Sequence, residues 1–346
     1  MEKRRRQLVN HETVSNIYKS SWRANDTLHA LSCLQNYFCG DFVNMKPVKA
    51  LVITAPGINC DLELSQAFAA AGAEPESILL SRLIRNPSLV DKFALIGLPG
   101  GFSYGDDIAA GRIMAALMRQ EIYPAIAAAI ARGTPVICPC NGFQIAVQAG
   151  LLPGPCVDMN FNSPASSTTS STNHAQLGAW PRTAATPIVA LATNIGERFH
   201  DAWTRVEIPS NTKCVWTRGL SLVENCDMLP SAHGEGRFMT DAKTLETLEK
   251  HGQIALRYVA DENFNGSTNA VAGICDQSGL VFGLMPHPER FTRWTQHPWW
   301  TRLPHTTRSG DTLGLCMFKN AVAYVNRDLA PDVYINNQVA PIHNAS

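Results

Sequence analysis

The chain has no long hydrophobic run: no stretch approaches the roughly 18 consecutive apolar residues that a membrane span needs, so none is expected. It also lacks an excess of charge of either sign. Its 29 Lys and Arg balance 29 Asp and Glu, for a formal net charge of 0, which argues against bulk electrostatic binding of nucleic acid or of an anionic membrane. Ten cysteines are present, but no CxxC pair and no zinc-type spacing. A chain of this size needs no disulfides. The expected setting is therefore a reducing cytoplasm, with most thiols serving as small core residues. There is no GxxxxGK[ST] phosphate loop and no internal repeat. No apolar segment follows Lys3, Arg4, Arg5 and Arg6, so a secretory signal is not expected; an Arg-containing transit peptide stays open.

What remains is an ordinary globular composition, 45% hydrophobic and 17% charged over 346 residues, enough for one or two domains with a sizeable core. Residues 1–45 are polar and without clear period, and they read as a poorly defined extension. Residues 46–325 read as one α/β domain, interrupted by a Ser/Thr-rich loop at 163–174, and 326–346 read as a polar tail. Strands are expected at Val48–Ala55, Glu76–Leu80, Phe93–Leu98 and Thr134–Cys138. Helices are expected at Asp61–Gly72, Asp106–Met118, Ile122–Arg132 and Asn141–Ala149. Such alternation implies an open, mostly parallel sheet with helices on both faces. Beyond the Ser/Thr loop come extra short extended runs near Trp203–Ile208, Gln253–Val259 and Leu280–Met285, then a helix at Thr312–Val325.

Three segments carry chemistry. In Ile137-Cys138-Pro139-Cys140-Asn141-Gly142-Phe143-Gln144 a strand ends and a helix begins at once. A residue in that turn is lifted above the sheet at a helix N-terminus, where free N–H groups favour a thiolate. This is the setting of a nucleophile elbow with Cys in place of Ser. Cys140 occupies the turn while Cys138 lies inside the strand, so Cys140 is the better nucleophile; two buried core cysteines are the bland alternative. A thiol nucleophile needs a base. His287, just past the run Leu280–Met285, has Glu289 two residues on, where a carboxylate can orient the imidazole. Acyl chemistry also needs an oxyanion hole. The turn Pro99-Gly100-Gly101 exposes backbone N–H groups, and the N–H of Asn141 is the natural second donor.

Taken together, Gly57-Ile58-Asn59-Cys60-Asp61-Leu62-Glu63, Pro99-Gly100-Gly101-Phe102-Ser103-Tyr104-Gly105-Asp106, Cys140-Asn141-Gly142-Phe143-Gln144-Ile145, Ala232-His233-Gly234-Glu235-Gly236-Arg237 and Met285-Pro286-His287-Pro288-Glu289-Arg290 occur in one order. Over about residues 46–325 the chain closely resembles the glutaminases of phosphoribosylformylglycinamidine synthase, which are class I, triad-type glutamine amidotransferases. The resemblance implies a flavodoxin-like amidotransferase fold. It implies Cys140 as nucleophile, His287 as general base and acid, and Glu289 as orienting carboxylate. Gly101 and Asn141 would be the oxyanion donors. Gln144, Gly100, His233 and Glu235 would contact glutamine, although His233 and Glu235 also read as a partner contact or a hydrogen-bonded turn. Cys60 reads as structural, and Tyr104, Asp106 and Asp107 as the start and caps of a helix. The resemblance implies no metal and no cofactor in this chain. ATP and magnesium are expected on a separate synthetase subunit that acts on formylglycinamide ribonucleotide, together with a small bridging subunit. The alternatives are another class I amidotransferase, a cysteine hydrolase of the same fold, and a non-catalytic scaffold subunit.

Overall fold

The computed structural model describes residues 47–155, 180–181, 183–184, 186–222 and 226–329. The expected extension 1–45, the Ser/Thr loop 163–174 and the expected tail from 330 onward lie outside the described residues. In chain order the first half of the fold is β1 (Lys49–Thr54), α1 (Asp61–Ala70), β2 (Glu74–Leu79), α2 (Leu80–Arg85), β3 (Leu95–Gly97), α3 (Arg112–Leu117), α4 (Tyr123–Ala131), β4 (Val136–Pro139) and α5 (Asn141–Gln148). The second half is β5 (Ala190–Ala192), β6 (His200–Glu207), β7 (Met228–His233), β8 (Arg237–Met239), α6 (Ala242–Lys250), β9 (Ile254–Tyr258), β10 (Val271–Cys275), β11 (Val281–Leu284) and α7 (Leu313–Leu329).

Nine strands form one sheet in the order β2-β1-β3-β4-β11-β10-β9-β6-β7, while β5 and β8 pair separately. From β2 to β11 every pairing is parallel. The extra strands of the second half extend the sheet with antiparallel pairings from β11 to β7. Strands β4, β10 and β11 are buried at every residue. This explains their unbroken apolar runs, since a strand covered on both faces has no solvent side to alternate with. The edge-side strand β6 alternates instead, with Thr204 and Val206 buried between more exposed neighbours.

Helix α1 turns Leu64, Ala67 and Phe68 inward. The Phe68 ring meets Phe318 of α7 edge-on at 5.3 Å and Trp216 at 6.4 Å, the geometry aromatic quadrupoles prefer. Helices α3 and α4 are joined through a π-helical turn, Met118–Ile122, into one continuous segment. Among the described residues, this segment, Arg112–Ala131, is the one helix long and apolar enough to cross a membrane, and half of its most apolar window is buried inside the fold. Met114, Met118, Ile122, Ile126 and Ile130 supply that buried side, which makes it a core helix.

Three expectations need correction. The helix expected from Asp106 begins at Arg112. Tyr104, Gly105, Asp106 and Gly111 all adopt positive φ, and the Asp106 carboxylate accepts the Gly111 N–H at 3.0 Å. A Gly- and Asp-rich stretch prefers such left-handed turns to helix, so Tyr104, Asp106 and Asp107 do not cap a first turn. The last helix continues to Leu329, past the expected boundary at 325. Helix α6 was not expected, because its only buried residues are Thr244 and Leu248; it is started by Asp241, whose carboxylate accepts the Thr244 N–H at 2.9 Å.

Phe68 joins α1 to α7 across the β1–β3 side of the sheet. Replacing it with Ala is expected to lower unfolding free energy by about 3–5 kcal/mol, read from urea midpoints at unchanged slope.

Candidate active site

The site lies past the C-terminal ends of the parallel strands, where open α/β sheets bind ligands. Its key feature is a register. Strand β11 pairs with β4 so that Leu284 stands beside Pro139. The next residue of β4 is Cys140 and the loop after β11 carries His287, so both leave the sheet side by side. The Cys140 N–H donates to the Leu284 carbonyl at 2.7 Å, and the His287 N–H donates to the Pro230 carbonyl of β7 at 2.7 Å.

Cys140 has φ 51° and ψ −112°, a conformation that costs a residue with a Cβ about 1–3 kcal/mol. The surroundings impose it: α5 starts at the next residue, and the Cys140 carbonyl accepts the N–H groups of Phe143 and Gln144. At Gly142 an added Cβ would lie 1.9 Å from the Leu98 carbonyl oxygen, so glycine is required for the elbow to pack on β3. Cys140 Sγ points toward the Ala232 carbonyl at 3.7 Å. Cys138 is enclosed within β4, and burial pushes its thiol far up, which disqualifies it as the nucleophile.

His287 and Glu289 are both buried, and His287 Nδ1 lies 2.6 Å from Glu289 Oε1. With Nδ1–H donated to the carboxylate, Nε2 is left facing the sulfurs. Burial alone would push the imidazole pKa down. The Glu289 carboxylate, then Cys140, then hydrogen bonds to Cys140 and Cys60 outweigh it and hold the pKa well above its ordinary value. Gly100 sits between these groups: a Cβ there would lie 2.9 Å from His287 Cε1, 3.2 Å from Cys60 Sγ and 3.3 Å from Cys140 Cβ.

These groups open into a cavity of about 460 Å³ whose wall includes Gly101, Cys140, Gln144, His233, Glu235 and His287. Gly100 is not on that wall; it packs closely against His287, Cys60 and Cys140. The Asn141 side chain is also behind the wall: its carbonyl oxygen accepts the Ser103 N–H at 3.2 Å, and its amide donates to Gln144 Oε1 at 2.9 Å. Gln144 in turn donates to the Glu235 backbone carbonyl, which ties α5 to the β7–β8 turn. His233 is buried beside Asn194. Burial, then the nearby His287 and His200, push its pKa down to about 3.

Sequence reasoning missed several groups. Phe199, just before β6, and Asp201, which β6 brings there by pairing with β7, also line the cavity, and no local motif marks them. Cys60 and Arg290 line it as well, and Arg290 Nη2 lies 2.9 Å from Cys60 Sγ. Arg290 directly follows the His-Pro-Glu run and was legible there. Cys60 precedes α1 with φ −104°, outside any elbow, yet it touches the His287 imidazole. The Cys60, His287 and Glu289 ligand atoms all lie within 4.8 Å of one another, spacing that a metal ion fits. Two features oppose one: His287 Nδ1 and Glu289 already bind each other, and the Arg290 guanidinium occupies the sulfur.

A thiol on a strand–helix elbow, an imidazole–carboxylate pair in the loop after the neighbouring strand and a half-open cavity beside them fit a triad-type amidotransferase. Residues 47–325 match the model of the CobB/CobQ-like glutamine amidotransferase domain, and the chain belongs to that family. Within it, the chain is similar to the phosphoribosylformylglycinamidine synthase subunit PurQ of Dehalococcoides mccartyi, with 35% identity over 290 residues, 82% of this chain and 100% of the relative. The subunit of the same name from Methanococcus maripaludis is 32% identical over 296 residues, covering 81% of this chain and 98% of the relative. Among solved structures, PurLQS from Thermotoga maritima contains a chain 30% identical to this one, with a TM-score of 0.56, covering 81% of this chain and all of that one, 100%.

The two histidines bias stability in opposite pH windows. An unfolded imidazole protonates below about pH 6.5. His233 stays neutral in the folded chain down to about pH 3, so stability falls as pH drops through that interval. The His287–Glu289 contribution is complete below about pH 6.5 and is lost as pH rises through the raised folded pKa of His287. Each limb has a slope of about 1.4 kcal/mol per pH unit for one proton. In urea unfolding across pH, His233→Gln is expected to flatten the acid limb and Glu289→Gln the alkaline limb.

Proposed function

We propose that this chain is the glutaminase subunit of a phosphoribosylformylglycinamidine synthase, hydrolysing L-glutamine to glutamate and ammonia through a thioester on Cys140. The observation that carries the reading is Cys140 at φ 51° beside a buried imidazole whose far nitrogen is held by Glu289 at 2.6 Å, in a cavity large enough for an amino acid. With the proton already held on His287, the Cys140 sulfur attacks the carboxamide carbon. The tetrahedral oxyanion is received by the N–H groups of Gly101 and Asn141. His287 then returns the proton to the leaving nitrogen, ammonia departs, and the same imidazole activates the water that releases glutamate. Glu289 keeps the productive tautomer and stabilises the imidazolium. Gln144, His233 and Glu235 are the cavity-wall groups proposed to hold the amino acid.

The names of the relatives support the purine-pathway assignment, and the name PurLQS supports assembly with other subunits. In this reading the chain carries no cofactor of its own. ATP and magnesium belong to a synthetase subunit that converts formylglycinamide ribonucleotide to the amidine with the ammonia supplied, a small bridging subunit completes the assembly, and the enzyme works in the cytoplasm.

Glutamate release from glutamine, measured with and without the synthetase subunit, ATP, magnesium and formylglycinamide ribonucleotide, tests the reading. Cys140→Ala is expected to lower kcat by at least about a thousandfold, and Glu289→Gln by about a hundred- to ten-thousandfold, with folding intact. A folded wild-type chain that releases no glutamate with its full complement of subunits would make it a scaffold.

A further inference from the structure

Cys60 has no part in the mechanism above, yet it lies against the catalytic base. Its side chain is buried on the cavity wall, and its sulfur stands within 4.8 Å of both a ring nitrogen of His287 and a carboxylate oxygen of Glu289. A Cβ on Gly100 would lie 3.2 Å from Cys60 Sγ and 2.9 Å from His287 Cε1, so the glycine leaves sulfur and imidazole free to approach each other.

The other partners of the sulfur fix what it offers the ring. A thiol has one hydrogen to donate and lone pairs that accept weakly. Cys60 Sγ donates to Asn59 Oδ1 at 3.3 Å, and Arg290 Nη2 donates to Cys60 Sγ at 2.9 Å. With its hydrogen directed to Asn59, the sulfur faces the imidazole as an acceptor. The Arg290 guanidinium is anchored in turn by the charges of Glu289 and Glu63.

His287 Nδ1 is bound to Glu289, so the other N–H of the charged ring is Nε2–H, and that nitrogen has no aligned partner among the described residues. The titratable groups facing the ring are Glu289, Cys140, Cys60 and His233, with Arg290 behind Cys60. Burial opposes the charged ring, while Glu289, Cys140 and Cys60 favour it. His233 stays neutral down to about pH 3 and adds no charge above it.

Turnover takes Cys140 out of this set. Once a thioester forms, its sulfur is uncharged and a poor acceptor, while the imidazole still has to take a proton from water. We propose that Cys60 is a positioning residue for this reaction: its sulfur, oriented by Asn59 and Arg290, accepts the Nε2–H of the charged His287 ring and holds that ring in place while Cys140 is acylated. The role in turnover rests on the glutaminase reading; the contact itself does not.

The contact is therefore tested first without turnover. In a full chain carrying Cys140→Ala, His287 is titrated by NMR with isotope-labelled histidine. Adding Cys60→Ala is expected to move the His287 titration to lower pH, and Cys60→Ser, which is close to Ala in volume but can accept, is expected to restore part of it. Neither change removes a helix cap, because the Cys60 side chain makes no cap bond to α1. With Cys140 intact and the synthetase subunit present, the same two variants are read in glutamate release. Cys60→Ala is expected to shift the alkaline limb of kcat/KM to lower pH and to lower the rate on that limb about tenfold, the size of one hydrogen bond to a charged group, with partial recovery in Cys60→Ser. An unmoved titration, or equal shifts in the Ala and Ser variants, overturns the proposal and leaves Cys60 a packing residue. A wild-type chain that releases no glutamate overturns the glutaminase reading, a result that the titration reports separately from the contact.

Discussion

The active site depends on the parallel pairing of β4 with β11. A single hydrogen bond, from the Cys140 N–H to the Leu284 carbonyl, closes that ladder at the point where both strands end. Everything reactive follows from it. Cys140 leaves one strand, His287 leaves its neighbour three residues later, and no side chain has to travel to bring them together. A slip of one residue in this register would turn each side chain to the other face of the sheet. The burial of both strands on both faces resists such a slip, because it would expose or overpack Ile137, Val281 and Phe282 at once.

The second strand pair that matters is β6 with β7, at the antiparallel end of the same sheet. It carries Ala232, His233 and Glu235 over the elbow and holds the His287 loop through the Pro230 carbonyl. The parallel half thus supplies Cys140 and His287, and the antiparallel extension supplies the roof of the cavity. Gln144 joins the two halves by reaching from α5 to the Glu235 carbonyl.

Two buried histidines in one cavity are driven apart by their partners. His287 faces a carboxylate and two thiols, and its pKa rises despite burial. His233 faces an amide oxygen and two other imidazoles, and its pKa falls. Environments that separate like groups in this way assign them different work. One ring is fitted to move protons, and the other is held neutral. The close approach at Gly100 belongs to the same economy of space, since any side chain there would push into His287, Cys60 and Cys140 together.

Much of this was legible in the sequence because its signals are local. A strand that ends in Cys140 and a helix that starts at Asn141 need only propensity and Gly142, and His-Pro-Glu places base and carboxylate two residues apart. The parallel half of the sheet was read from alternating strands and helices. The misreadings have equally local causes. Asp106 and its glycines read as a helix start, whereas their left-handed turns win. Helix α6 escaped notice because it buries almost nothing. Residue types and chain order by themselves pointed to Cys140, His287 and the class of chemistry. Only the tertiary structure decided that Gly100 packs against Cys60, Cys140 and His287, that Cys60 and Arg290 stand beside His287, and that Asn194 packs against His233. Those relations join residues far apart in the chain through sheet register and packing, and no local spacing encodes them.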